Sequence, residues 1–259
     1  MTDALQMPPL GLGVWQMAAG RETEQAVEWA LEAGYRHIDT ASLYRNEQSV
    51  GAALARSGLP REEVFVTTKL MPLRPSAERE LRRSLERLGL EYVDLYLIHF
   101  PVPGTIRRHW KALESLQERG LARTVGVSNF GRDRLRNLGG AKPAANQVQL
   151  SPFHYRRALL GYCAEEGIVV VAYSPLERGR ALADPTIVAV AERAGRTPAQ
   201  VMLRWSLQRG AVVIPKSSNR ERIRENAQIF DFELDADAMR ELDGLDTTGG
   251  TAKARGRYT

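Results

Sequence analysis

Apolar and polar positions along this chain switch between two periods. Short β-branched or apolar runs recur at residues 10–13, 37–39, 64–69, 93–99, 124–128, 145–149, 169–173 and 212–214, and each reads as a strand. Runs such as VVVAY and AVVIP are apolar throughout, the pattern of strands buried on both faces of a parallel sheet. Between the runs, apolar residues fall at helical spacing, as with Leu81, Leu85 and Leu88 at i, i+4 and i+7. Boundary chemistry agrees. Asp184-Pro185 and Thr197-Pro198 each place an N-cap residue before a proline, and Gln200 completes a capping box with Thr197. Gly34, Gly89, Gly167 and Gly210 stand where helices should stop.

Eight strand–helix units in this length match the count and size of a (β/α)8 TIM barrel; a doubly wound open sheet is the alternative. No repeat, low-complexity tract or linker divides the sequence, so a single domain over residues 1–259 is expected. A barrel demands that chemistry sit at the C-terminal strand ends. Those ends carry Asp39, Lys69, His99, Ser128-Asn129, Gln149, Tyr173 and, beyond the last strand, Lys216.

Composition narrows the class without changing it. Apolar residues make up 43% and charged residues 26% of the chain, as in ordinary soluble proteins. There is no apolar run long enough for a membrane span, and MTDALQMPPL lacks the features of a signal peptide. The one cysteine, Cys163, has no internal partner and reads as a small buried residue, which fits a reducing, cytoplasmic compartment. A net charge of +5 with scattered Lys and Arg is more in keeping with an anionic cofactor than with a nucleic-acid face. No metal-ligand pattern is present, and nothing suggests an obligate interface, so a monomer is expected.

In VFVTTKL an apolar strand carries Lys69 to the rim, where a buried ammonium needs a partner, and Asp39 on the neighbouring strand can be that partner. Tyr44 follows on the next loop. A free phenol has a pKa of about 10, and a nearby cation should lower it, so Asp39, Lys69 and Tyr44 read as a tuned acid. His99, leaving the strand DLYLIHF, can hydrogen-bond a substrate oxygen. An acid above a carbonyl needs a hydride source, yet Gly11 and Gly13 in GLGVWQ lack the third glycine of a dinucleotide-binding turn. The segment IPKSSNRERIREN offers another phosphate site: Lys216, Ser217, Ser218 and Asn219 lead into a helix N-terminus, and Arg222 adds a planar fork. The same letters also read as a plain capping box, Ser218-x-x-Glu221.

Over nearly its full length the chain resembles the aldo-keto reductases. The segments that carry the likeness are GLGVWQ, YRHIDTASLYRNE, VFVTTKL, VDLYLIHFP, VGVSNF, NQVQLSP, VVVAYSPL and IPKSSNRERIREN. The resemblance implies a catalytic tetrad of Asp39, Tyr44, Lys69 and His99, with Tyr44 as proton donor. It implies that Ser128, Asn129 and Gln149 bind the carboxamide of NADPH and that Tyr173 stacks on the nicotinamide, with Ser174 and Leu176 also at the cofactor. Lys216, Ser217, Ser218, Asn219 and Arg222 would hold the adenosine 2′-phosphate and ribose, with Glu225 and Asn226 at the adenine. The implied activity is NADPH-dependent reduction of aldehydes and ketones, with a cofactor-binding regulatory subunit or a Schiff-base aldolase acting through Lys69 as alternatives.

Among family members the chain is most similar to bacterial reductases of the 2,5-diketo-gluconate type. It departs from them at Phe100, where tryptophan is common, in the short segment PVPGTIRRHW and in the compact tail TTGGTAKARGRYT. With Trp15, Phe100 and these segments are expected to shape an open substrate pocket.

Overall fold

The computed structural model describes residues 6–248. Eight parallel strands follow one another around a barrel: β1 (Leu12–Gly13), β2 (His37–Asp39), β3 (Phe65–Leu70), β4 (Val93–Ile98), β5 (Ala122–Ser128), β6 (Ala145–Gln149), β7 (Val169–Tyr173) and β8 (Ala211–Ile214). The first strand is shorter than its apolar run, because Leu10 contributes only a bridge to Val213. That bridge, with Gly11 N–H donating to Val213 O and Gly13 N–H to Pro215 O, joins β1 to β8 and closes the ring. Gly11 and Gly13 make this closure possible. A Cβ at Gly11 would meet the His37 ring at 2.6 Å and one at Gly13 would meet Ile214 O at 2.9 Å, so both glycines serve packing.

Helices α1 (Arg21–Glu32), α2 (Glu47–Arg56), α3 (Ala77–Leu88), α4 (Ile106–Glu118), α5 (Arg132–Arg136) and α6 (Arg157–Glu166) fill the first six crossovers. Two helices, α7 (Pro185–Ala194) and α8 (Pro198–Gln208), separate β7 from β8, and α9 (Arg220–Ala227) and α10 (Ala236–Asp243) follow. The two proline-led caps each start one of that pair. Asp184 accepts from the N–H groups of Thr186 and Ile187, and Thr197 with Gln200 forms a complete capping box. The four glycines at the expected helix ends all have positive φ, and Cys163 is buried on α6.

Alternation along the strands sorts the core into two layers. Leu95, Leu97, Val171, Val212 and Ile214 cluster inside the barrel, whereas Tyr96, Ile98 and Val170 pack outward under the helices. On β3 the same parity turns Thr67 and Lys69 inward with Phe65, which packs against the inner cluster. His37 on β2 packs edge-on to Phe65 and bonds Thr67 Oγ1 at 3.0 Å.

At the N-terminal end, Asp94 at the start of β4 organises a charged cluster. Its Oδ2 accepts from Arg61 at 2.7 Å and from Val66 N–H at 2.8 Å, and its Oδ1 accepts from Arg123 at 3.2 Å. Both guanidinium groups stack on the Tyr92 ring, 4.2 and 4.1 Å from its centroid.

Candidate active site

The C-terminal rim gathers the four residues that the sequence singles out. Lys69 is fully buried, and all of its Nζ donors have partners: Asp39 Oδ1 at 2.6 Å, Thr40 O at 2.8 Å and the Tyr44 hydroxyl at 3.4 Å. Tyr44 is brought there by a single 3-10 turn, Ser42–Tyr44. Ser42 Oγ donates to Lys69 O, and Arg45 reverses the chain with a left-handed φ of 59°. Buried Asn46 then anchors the loop through Val14 O and Thr40 Oγ1. His99 is the first residue beyond β4, and its ring meets Tyr44 edge-on at 5.5 Å. Its Nδ1 is buried without a hydrogen-bond partner.

The electrostatics differ from the expectation that Lys69 lowers the Tyr44 pKa. Burial first, then the Asp39 carboxylate and the Tyr173 phenol, hold that pKa well above the ordinary phenol value. Burial also lowers the Lys69 pKa, opposed mainly by Asp39. Tyr44 is therefore fully protonated at neutral pH. The adjacent ammonium stabilises its oxygen only when negative charge develops there, the condition under which preorganised charge assists a reaction. Burial and Lys69 push the His99 pKa down to about 3, so its imidazole is neutral and can donate one N–H.

The residues expected around a nicotinamide are only partly gathered. Ser128 Oγ donates to Gln147 O, and Asn129, left-handed at φ 64°, donates from Nδ2 to His99 O and Ser128 Oγ. The half-buried Tyr173 fixes the other end of that amide, its hydroxyl donating to Asn129 Oδ1 at 2.9 Å. Gln149 does not join them. It turns to His154 and to Glu177, whose carboxylate also accepts from Ser151 Oγ at 2.6 Å. The glutamine that enters the cluster is Gln147, donating to Asp39 Oδ2 at 2.7 Å. Both glutamines share a strand face, so alternation alone does not choose between them; their levels do.

Around the rim, Ser174 has a left-handed φ of 49°, as do Glu177 and Arg178 after Leu176. Arg178 crosses to the opposite loop, its guanidinium 4.7 Å from the centroid of the Trp15 ring, which is 39% exposed. Phe100, expected in the pocket, is buried behind the His99 ring and offers little surface to a substrate. Exposed Leu43 and Leu73, on the loops after β2 and β3, add apolar surface near Trp15's end of the barrel. The tail beyond residue 248 lies outside the described residues.

Beyond β8, Lys216, Ser218, Asn219 and Arg222 are exposed and Ser217 is largely buried. The cap of α9 is Asn219, which accepts from Arg222 N–H at 3.0 Å, so the Ser218-x-x-Glu221 capping box does not form. This leaves the Ser218 hydroxyl, Lys216 and Arg222 facing outward beside a helix N-terminus, a donor set that fits a phosphate. Glu225 and Asn226 are not simply solvated. Glu225 accepts from Thr197 Oγ1 at 2.5 Å and Asn226 is buried.

The model of the aldo/keto reductase family matches residues 9–247. The chain belongs to that family. An aldo-keto reductase of Mycolicibacterium vanbaalenii is 52% identical over 254 residues, covering 95% of this chain and 91% of that protein. A 9,11-endoperoxide prostaglandin H2 reductase of Trypanosoma cruzi is 46% identical over 252 residues, covering 94% of this chain and 89% of that protein. Among solved structures, an aldo/keto reductase of Brucella melitensis superimposes with a TM-score of 0.89 at 41% identity, covering 94% of this chain and 98% of that one. The eight-stranded barrel is thus the fold of this family, and its members' names describe reductases.

Proposed function

We propose that this aldo/keto reductase reduces aldehydes and ketones with NADPH, using Tyr44 as the proton donor. The observation that supports this most is the convergence on Tyr44. A buried ammonium with all three donors engaged touches the phenol oxygen, and the neutral imidazole of His99 meets the phenol ring edge-on. NADPH, when bound, supplies the hydride that the carbonyl carbon accepts. Asp39 keeps Lys69 charged inside the barrel, and Gln147 holds the second carboxylate oxygen so that Asp39 faces Lys69. His99, neutral, donates toward the carbonyl oxygen and orients it. Tyr44 passes its proton to that oxygen, and Lys69 stabilises the phenolate left behind.

The residues fit a nicotinamide dinucleotide at two places: the half-buried ring of Tyr173 beside Asn129 and Ser128, and the exposed donors Lys216, Ser218 and Arg222. The preference for NADPH over NADH rests on those last three. The likeness to 2,5-diketo-gluconate reductases belongs to this proposal too, although the exposed Trp15, Leu43 and Leu73 favour carbonyl compounds with an apolar side. One assay addresses all of this: NADPH oxidation against aldehydes, α-ketoaldehydes and keto-sugars, run beside NADH and with Tyr44→Phe. Turnover surviving in Tyr44→Phe would remove Tyr44 from the mechanism, and preference for NADH would remove the phosphate reading of Lys216 and Arg222.

A further inference from the structure

Asn46 follows the Tyr44 turn and occupies the N-cap position of α2, where an asparagine side chain ordinarily accepts from a helix N–H. Here it makes no such bond. The amide is fully buried and points instead to the turn after β1. Its Nδ2 donates to Val14 O at 2.9 Å and to Met17 O at 3.3 Å, while its Oδ1 accepts from Thr40 Oγ1 at 3.0 Å. Carbonyls only accept, so this orientation of the amide is the one that satisfies both of them.

Each bond lands on a segment that bears on the reaction. Val14 to Met17 form a tight turn, closed by Met17 N–H donating to Val14 O at 3.2 Å, and Trp15 is one of its two central residues. The other, Gln16, has a left-handed φ of 62°. Arg45, between Tyr44 and Asn46, is likewise left-handed at 59°. Residues other than glycine hold that conformation only where their surroundings impose it, and Asn46 borders both turns. Thr40 completes the link, since its carbonyl accepts from Lys69 Nζ at 2.8 Å. The helix itself is anchored by the next residue. Buried Glu47 accepts from Thr68 Oγ1 at 2.6 Å and from Arg87 Nε at 2.7 Å, tying α2 to β3 and α3 without the Asn46 amide.

We propose that Asn46 is a positioning residue that couples the Trp15 turn to the Tyr44 turn, fixing the proton donor and the aromatic side of the pocket relative to one another. The amide gives up a helix cap and clasps two strained turns into one preformed mouth. The inference rests on the reading of Tyr44 as proton donor and adds the group that sets its place.

The test is steady-state kinetics of wild type, Asn46→Ala, Asn46→Asp, Tyr44→Phe and the double variant Tyr44→Phe/Asn46→Ala, with a short aliphatic and a bulky aromatic aldehyde. Rates are taken per folded molecule from thermal melts, and Asp184→Ala, which removes a distant cap, controls for lost stability. Asn46→Ala should lower kcat by about 10- to 100-fold with both aldehydes, the scale of misplacing a reacting group by about 1 Å. It should raise KM for the aromatic aldehyde alone. In the Tyr44→Phe background it should lower kcat no further, because groups that act as a unit are not additive. In Asn46→Asp the neutral carboxyl keeps one O–H donor for a carbonyl, whereas the ionised form faces two carbonyl oxygens, and burial favours the neutral form. Relative to wild type, its kcat should therefore fall as pH rises. Wild-type kcat in folded Asn46→Ala, or an equal loss in the Tyr44→Phe background, would overturn the role of Asn46. Should Asn46→Ala not fold, an Asn46→Asp profile parallel to that of wild type overturns it instead. Turnover surviving in Tyr44→Phe would overturn the proton-donor reading and this inference with it.

Discussion

Each end of the barrel carries a carboxylate–cation cluster, and the two are built to different rules. Around Asp94 at the N-terminal end the cations are arginines, always charged, partly exposed, stacked on Tyr92 and bonded to both carboxylate oxygens. Around Asp39 at the C-terminal end the cation is a lysine whose charge burial opposes. Its neighbours are left incomplete: His99 Nδ1 has no partner, and no described residue accepts the Tyr44 proton. One cluster closes a structure; the other holds donors ready for something that arrives later. That matches the division in barrels between a stabilising N-terminal face and a chemical C-terminal face.

Substitutions at the two ends should separate these roles. Tyr44→Phe should cost about 10²- to 10⁴-fold in turnover, the usual range for losing a general acid, with little change in urea stability. Asp94→Ala should do the reverse. Leaving the buried Val66 N–H without its acceptor, and the partly exposed Arg61 and Arg123 without their carboxylate, should cost about 1–3 kcal/mol in urea unfolding, with turnover per folded molecule retained. Should Asp94→Ala abolish turnover in fully folded protein, the division between the ends would be wrong.

His37 sits between them, and burial with the charge of Lys69 depresses its pKa to about 3. An unfolded histidine titrates near about 6.5, so between these values only the unfolded chain takes up the proton. Stability is then fully present above the unfolded value and falls as pH drops toward 3, by up to roughly 1.4 kcal/mol per pH unit from this group. Urea midpoints measured from pH 7 to pH 4 should fall less steeply in His37→Asn than in wild type. A slope identical to wild type would assign the acid sensitivity elsewhere. The smallest effect belongs far from both clusters: Asp184→Ala removes the α7 cap and should cost about 1 kcal/mol without touching turnover.

Much of this was legible in the sequence because it depends on short-range chemistry. Apolar runs, caps and terminal glycines each act within a few residues, and the strand ends then list the rim. Levels within the barrel are not local. Gln147 and Gln149 share a face, but successive inward residues differ in height by about 7 Å, and only the pairing of Ser128 with Gln147 and of Gln149 with Tyr173 shows which one meets Asp39. Likewise Ser218 and Asn219 are both good caps, and the backbone chose Asn219. The direction of the Tyr44 pKa is hidden for a related reason: a neighbouring cation is visible in the letters, and the depth of burial is not.

The full engagement of Lys69 also bears on its reactivity. An amine attacks an electrophile through a lone pair, and this one is a buried ammonium with every proton already donated. Acylating reagents and carbonyl compounds should therefore modify the exposed lysines and pass Lys69 by, which leaves the Schiff-base alternative without a nucleophile. Its labelling would have to wait for the rim to open, so the rate at which Lys69 becomes modified would serve as a clock for local unfolding of the barrel mouth.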